Sequence, residues 1–249
     1  IYLNGEELGR HANMFIPARF DVTDNLHLGT NHLALRFDPI VAAVGNRRTP
    51  GNMSWRAPER VWVRKALYNF GWDWAPRLAT MGPWQSVRLD SSPRTRITSV
   101  YFQTLLISAE RARAEVAVTV EVEGTEGWQI KAARVEVLLA RGQEHFQAFT
   151  RVAGNGRASI ALGVPYPDLW WSHDLGTPAL YDLQVILRCD DQVFDTYAER
   201  VGIRTMTWDQ SPDPDEPGAR FFTPVLNGVR IFAKGANWVP ADSFLSEVD

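Results

Sequence analysis

Cysteine is nearly absent: a single residue, Cys189, stands in 249. That excludes a disulfide framework and any cysteine-based zinc knuckle. Lysine is scarce as well, three against 23 arginines. The formal net charge is −3, and no basic stripe runs along the chain, which argues against nucleic-acid binding. No apolar run approaches the roughly 18–20 residues of a membrane span. The chain has no HExxH, P-loop, GxGxxG or GxSxG sequence. Its five histidines are at 11, 27, 32, 145 and 173. His27 and His32 are five apart across a turn, a poor spacing for a shared metal. Neither a metal nor another cofactor is expected. A starting methionine is missing too, and the chain opens inside the strand-like Ile1-Tyr2-Leu3. It reads as an internal fragment, so the lack of a signal peptide carries no information about location. The arginine bias leans toward a GC-rich bacterial source, hence cytoplasm or periplasm. Oligomeric state is left open.

What is present is hydrophobic residue at 45% and charge at 22%, enough to build a core. At about 100–200 residues per domain the length suggests two domains. Asn4-Gly5 sits between Ile1-Tyr2-Leu3 and Glu6-Glu7-Leu8, a hairpin signal because both residues tolerate positive φ. His32 to Phe37 alternates, with Leu33, Leu35 and Phe37 on one face, and Val87-Arg88-Leu89 reads as a last strand before a boundary at Ser91-Ser92-Pro93. Residues 39–83 look irregular and are too long for an idle loop.

From about 95 to 204 the pattern becomes regular. Val116, Val118, Val120 and Val122 alternate with polar or small residues, and Ala133 to Leu139 repeats the pattern. Shorter versions follow at Ala158 to Leu162, Leu183 to Leu187 and Val193 to Val201. About seven strands in roughly 110 residues predict an immunoglobulin-like sandwich without the Cys–Trp–Cys core of antibody domains. Residues 211–218, with three Pro and three acids, read as a solvated linker or loop. Val225 to Phe232 carries a second Asn-Gly hairpin signal.

Ten tryptophans are present, with pairs at Trp72/Trp74 and Trp170/Trp171. The plain reading is that they fill a β core; the alternative is a ligand surface. The densest stretch runs Arg64-Lys65-Ala66-Leu67-Tyr68-Asn69-Phe70-Gly71-Trp72-Asp73-Trp74-Ala75-Pro76. A carboxylate between two indoles suits a sugar, whose hydroxyls donate to the acid and whose C–H face stacks on the ring. The plain alternative is a loop in which Trp plugs the sandwich and Asp73 pairs with Arg64, Arg77 or a backbone N–H. Asn52-Met53-Ser54 matches a glycosylation sequon at the level of chance.

Gly71-Trp72-Asp73-Trp74-Ala75-Pro76 after Arg64-Lys65 resembles the signature loop of the β-mannosidases of glycoside hydrolase family 2. Four further segments match in order. Leu3-Asn4-Gly5, Gly9-Arg10-His11, Met14-Phe15-Ile16-Pro17 and Phe20-Asp21-Val22-Thr23 together resemble the family's N-terminal sugar-binding domain. Leu169-Trp170-Trp171 with Leu180-Tyr181, then Val201-Gly202-Ile203-Arg204, resemble the middle sandwich and its exit. Lys234 to Asp242 resembles the entry to the catalytic barrel.

The resemblance implies an all-β chain. Residues 1–92 would be a partial jelly-roll sandwich, 93–205 an immunoglobulin-like sandwich, and 206–249 a linker with the first strand of a (β/α)8 barrel. It implies part of a retaining exo-glycosidase that removes terminal β-linked mannose, with a β-mannoside oligosaccharide or glycan as its partner. The two glutamates of that reaction lie on barrel strands downstream of Asp242, so no catalytic residue is carried over and the fragment is expected to be inactive. Asp73 as proton donor is disfavoured. Substrate binding does carry over: Trp72, Asp73 and Trp74 from the loop, with Asn237 and Trp238 at the barrel entry. Ala75 departs from the glycine common in the family. Galactosidases and glucuronidases of the family tend to an Asn-Arg-His type sequence where this chain has Asn237-Trp238-Val239, which favours mannose. Exo-glucosaminidase or β-galactosidase specificity, and a non-catalytic carbohydrate-binding module, are the alternatives.

Overall fold

The computed structural model describes residues 1–45, 47, 58–91, 95–124, 133–189 and 192–247. The Asn52 sequon and residues 92–93 of the expected boundary lie outside these. The chain divides into two compact units, Ile1–Leu89 with Ala236–Asp249, and Asp90–Gly235. No helix among the described residues is long and apolar enough to cross a membrane.

In the first unit β1 (Tyr2–Leu3) pairs with β2 (Glu6–Glu7) and β3 (Leu33–Ala34), all antiparallel. The Asn4-Gly5 turn forms as its residues dictate, with φ of 52° and 90°. The Asn4 side chain then organises the neighbouring loops. Its Nδ2 donates to the Asn25 carbonyl and to Asn31 Oδ1, both at 2.8 Å, and its Oδ1 accepts the His32 N–H at 2.9 Å. The alternating segment from His32 to Phe37 yields just two strand residues, and Leu33 and Phe37 are half exposed. Val87-Arg88-Leu89 forms no strand, and Val87 and Leu89 are exposed. Alternation sets which face a side chain takes, but a strand also needs a neighbour to receive its backbone groups. None is paired to 87–89 among the described residues. The irregular stretch contains α1 (Ile40–Val44) and 3-10 turns at Pro58–Trp62 and Leu67–Asn69. Residues 232–242 form no strand, and Trp238 is 91% exposed.

The second unit contains seven strands over residues 95–201: β4 (Thr95–Ile107), β5 (Arg113–Gly124), β6 (Ala133–Arg141), β7 (Glu144–Arg151), β8 (Arg157–Pro165), β9 (Tyr181–Cys189) and β10 (Gln192–Val201). They form two antiparallel sheets, β4-β5-β8 and β10-β9-β6-β7. The alternation predicts the inward residues. Val116, Val118 and Val120 lie opposite Leu162, Ile160 and Ala158, while Val135, Val137 and Leu139 lie opposite Leu187, Val185 and Leu183. These twelve residues are buried in one continuous core. Each large aliphatic side chain contributes about 1.5–3 kcal/mol by leaving water. No Trp is among the fully buried core residues described, but Trp171 is partly buried and packs against the core, as do Phe102, Phe146 and Tyr197. The Tyr181 hydroxyl accepts the Asp168 N–H at 2.9 Å. Ile97 N–H donates to Asp195 Oδ2 at 2.8 Å, tying β4 to β10. Strand β4 carries irregularities between Ile97 and Ser99 and between Thr104 and Leu106.

A small third sheet follows, β11 (Met206–Asp209), β12 (Thr223–Leu226) and β13 (Val229–Arg230) in that order. Residues 211–218 are the folded tip between β11 and β12 rather than a loose linker. Asp213 N–H bonds to the Ala219 carbonyl at 3.0 Å, and Phe221 N–H to the Ser211 carbonyl at 2.9 Å. The second Asn-Gly turn also forms, with φ of 48° and 82°. Buried Asn227 accepts the Thr205 N–H at its Oδ1 and donates to the Trp170 carbonyl from its Nδ2, both at 2.9 Å.

Gly156 has φ +79°, and a Cβ there would stand 2.5 Å from the Val122 carbonyl oxygen. Gly142 has φ +59° with open space around it. Gly142→Ala therefore pays left-handed strain alone, about 1 kcal/mol. Gly156→Ala adds a backbone clash and should cost about 2–3 kcal/mol. Thermal unfolding of the two variants side by side checks this ordering.

Candidate functional site

The Trp-Asp-Trp segment is the tip of a tight hairpin. The single 3-10 turn at Leu67–Asn69 delivers the chain, with Phe70 N–H bonded to the Leu67 carbonyl at 3.1 Å and Gly71 N–H to the Tyr68 carbonyl at 2.9 Å. Gly71, at φ +98°, turns the backbone outward. Phe70 and Arg77 then pair as an antiparallel bridge, and Trp72 N–H bonds to the Ala75 carbonyl at 2.9 Å. Asp73 and Trp74 are left at the tip. Phe70 (1% exposed) and Ala75 (5%) are the apolar anchors that hold the hairpin down. Ala75, the position that departs from the family's glycine, is thus a packed residue.

A second set of contacts fixes the hairpin base. Asn13 and Arg64 form a parallel bridge, Met14 N–H donates to the Arg64 carbonyl at 3.0 Å, and Trp84 Nε1 donates to the Met14 carbonyl at 3.1 Å. Arg77 pairs with Glu59, whose carboxylate is buried. Buried Asn69 donates from Nδ2 to the Ser243 carbonyl at 3.3 Å, a link across 174 residues of sequence.

The five residues singled out from the sequence fall in different settings. Trp72 is 44% exposed and lies beneath the Arg60 guanidinium, 5.6 Å from its ring centroid. Asp73 is exposed and makes no hydrogen bond or ion pair with the described residues. The pairings considered for it are not made: Arg77 is engaged by Glu59, and Arg64 lies over the Phe15 ring at 5.4 Å. Trp74 packs its ring on Tyr68, centroids 5.3 Å apart and planes tilted by 39°. Asn237 and Trp238 are exposed in a segment without regular structure. The same unit holds a cleft of about 460 Å³ lined by Phe15, Arg60, Trp62, Arg64, Lys65 and Leu67. None of the five lines it.

Polar atoms around the tip are unusually underused. Arg60 Nε, Tyr68 Oη, Asn69 Oδ1 and Trp74 Nε1 are all buried without a hydrogen-bond partner. A buried polar atom left in this state costs about 1–3 kcal/mol. Burial pushes the Tyr68 hydroxyl pKa up and the Lys65 ammonium pKa down. Lys65 Nζ also donates to Thr80 Oγ1 at 3.4 Å. Arg60 and Glu59 were not legible in the sequence, and Arg77 was considered only as a partner of Asp73, because the contacts these residues make join positions distant in sequence. Tyr68 and Asn69 sit inside the dense stretch already noted, and adjacency to the tip was the available signal.

The arrangement can receive hydroxyl groups: a carboxylate acceptor at Asp73 and indole surface at Trp72. Among the described residues no group of three or more His, Cys, Asp or Glu could hold a metal ion.

The family model described as glycosyl hydrolase 2 galactose-binding domain-like matches residues 1–85, and that described as glycosyl hydrolases family 2 matches residues 95–204. The chain is 32% identical over 253 residues to a protein named Beta-mannosidase B from Thermothelomyces thermophilus, covering 100% of this chain and 29% of that one. It is 34% identical over 254 residues to Beta-mannosidase B of Neosartorya fischeri, again covering 100% and 29%. A crystal structure of a β-D-mannosidase from Dictyoglomus thermophilum superposes with a TM-score of 0.80 at 31% identity, covering 100% of this chain and 30% of that one. The chain spans about 29% of the length of these curated relatives.

Removing the Arg77 guanidinium strands the buried Glu59 carboxylate. Because the Arg77 side chain is half exposed, Arg77→Met should cost about 1–3 kcal/mol rather than the larger loss of a fully buried pair. Adding Glu59→Gln should recover part of that loss. A double-mutant cycle by denaturant unfolding measures the coupling.

Proposed function

The chain belongs to glycosyl hydrolases family 2, and from that premise we propose that it is the substrate-holding part of a retaining exo-β-mannosidase. The observation that carries the reading is Asp73: a carboxylate presented at a rigid hairpin tip between two indoles, exposed and unpaired among the described residues. The relatives named Beta-mannosidase B, aligned over the whole chain, support mannose as the sugar. In this reading residues 1–92 are the sugar-binding sandwich, 93–205 the immunoglobulin-like sandwich, and 206–249 the lead into the catalytic barrel.

The roles follow from the chemistry. Asp73 accepts hydrogen bonds from hydroxyls of the terminal sugar. Trp72 offers apolar surface to the C–H face of the ring. Trp74, packed on Tyr68, adds a second indole at the tip, and Asn237 and Trp238 complete the site from the barrel entry. Retaining hydrolysis needs two carboxyl groups about 5–5.5 Å apart, one as nucleophile and one as acid/base. By the family resemblance both are glutamates beyond residue 249. Asp73 therefore fixes the substrate and transfers no proton, and the 249-residue chain alone turns over no aryl β-mannoside.

An ionised acceptor to a sugar hydroxyl is worth about 1.5–3 kcal/mol. In the full-length enzyme Asp73→Ala should lower kcat/KM by roughly 10–150-fold. Asp73→Asn should lose less, since the amide still accepts one hydrogen bond. If Asp73 were a loop anchor instead, Tm would fall while the kinetics of the folded enzyme stayed within about twofold of the parent. Measuring both on each purified variant separates the two.

A further inference from the structure

At one end of the sandwich, apart from the Trp-Asp-Trp hairpin in sequence and in unit, lies a cleft of about 360 Å³ lined by Arg111, Arg141, Asp168, Leu169, Trp171 and Thr177. That volume is in the range of small-ligand sites. Its parts are held in place by backbone bonds. Tyr166 N–H donates to the Ala112 carbonyl at 2.8 Å, Trp171 N–H to the Thr177 carbonyl at 3.1 Å, and Trp170 N–H to the Ile203 carbonyl at 2.9 Å. Leu169 is buried beneath the cleft.

Arg111 is the unusual residue. It occupies the turn between β4 and β5 at φ +57°, a left-handed position that favours Gly or Asn. The turn itself is closed by Ser108, whose carbonyl accepts the Arg111 N–H at 2.8 Å and whose Oγ accepts the Ala112 N–H at 3.0 Å. Neither bond requires an arginine side chain. That side chain instead lies over the Trp171 ring, 5.0 Å from its centroid. Gly176 packs near the same indole, where a Cβ would stand 3.2 Å from it. Arg113, two residues on, is paired with Glu115. Arg111 has no ion pair among the described residues, and neither does the adjacent Glu110.

The other cation of the cleft is already satisfied. Arg141 Nε donates to Asp168 Oδ2 at 2.7 Å, and its Nη1 donates to the Leu180 carbonyl at 3.0 Å. Asp168 is largely exposed, so its second oxygen is open to a hydroxyl donor. The Thr177 hydroxyl makes no hydrogen bond among the described residues. The cleft thus combines one planar guanidinium that lies over Trp171 and has no ion pair among the described residues, one carboxylate oxygen, one hydroxyl and an apolar floor.

We propose that this cleft is a second carbohydrate site, selective for a sugar that carries a carboxylate, a uronic acid residue. The Arg111 fork takes the carboxylate through two parallel N–H donors, while Asp168 and Thr177 take ring hydroxyls. A neutral sugar offers Arg111 single hydroxyl acceptors in place of the two parallel oxygens of a carboxylate, and a lone anion leaves Asp168 and Thr177 unused.

The test titrates the 249-residue chain with glucuronate, glucose and inorganic phosphate in parallel, following the arginine Nε–Hε signals by NMR. Glucuronate should saturate, with glucose and phosphate each weaker by about tenfold or more. Arg111→Gly should weaken glucuronate about tenfold or more while Tm holds or rises, because glycine relieves the left-handed strain. Arg111→Lys keeps the charge without the fork and should lose affinity as well. Equal binding of glucose and glucuronate overturns the proposal. So does phosphate matching glucuronate, which marks a simple anion site, or unchanged glucuronate binding in both Arg111 variants.

Discussion

A β-strand offers its side chains alternately to two sides, and burial of one side is what residues 95–201 are built around. Val116, Val118 and Val120 on one sheet and Val135, Val137 and Leu139 on the other are fully buried, while their sequence neighbours face outward. A slip of one residue in β5 or β6 would turn that whole set to water. The register of the paired strands is therefore fixed by the core, and the turns follow. Arg111, in the turn between β4 and β5, and Tyr166, directly after β8, hold left-handed backbone conformations next to strands whose register the core fixes.

The hairpin at 70–77 rests on a different principle. It has almost no repetitive structure to draw on, so a few specific groups fix it: Phe70 and Ala75 below, the Glu59–Arg77 pair beside it, Asn69 reaching Ser243. Holding polar groups in this way costs desolvation, and four buried atoms around the tip are left without partners. Such a loop trades local stability for a fixed display of Asp73 and Trp72.

Legibility in the sequence followed the same division. Strands β5, β6, β8 and β9 could be read because their periodicity records which face is buried, and both Asn-Gly turns because positive φ selects those residues. Val87-Arg88-Leu89 misled for the complementary reason: alternation says nothing about whether a neighbouring strand exists. The tryptophans were legible only in part: Trp171 packs against the core, partly buried, while the fully buried positions described there are aliphatic or Tyr181. At the site, the tip residues stood out by composition. Their supports did not: Glu59 meets Arg77 and Asn69 meets Ser243 only once the chain has folded.

Strand β4 is an edge of its sheet, thirteen residues long, with Tyr101, Leu105 and Leu106 exposed along it. An uninterrupted edge of that length and apolarity would be a template on which another chain could crystallise its own backbone. The two register breaks, after Ile97 and after Thr104, divide it into segments whose hydrogen-bonding directions no longer agree. An incoming strand that matched one segment would be out of phase with the next. The irregularities that look like flaws in the ladder are thus of the kind that keeps one sheet edge from joining another.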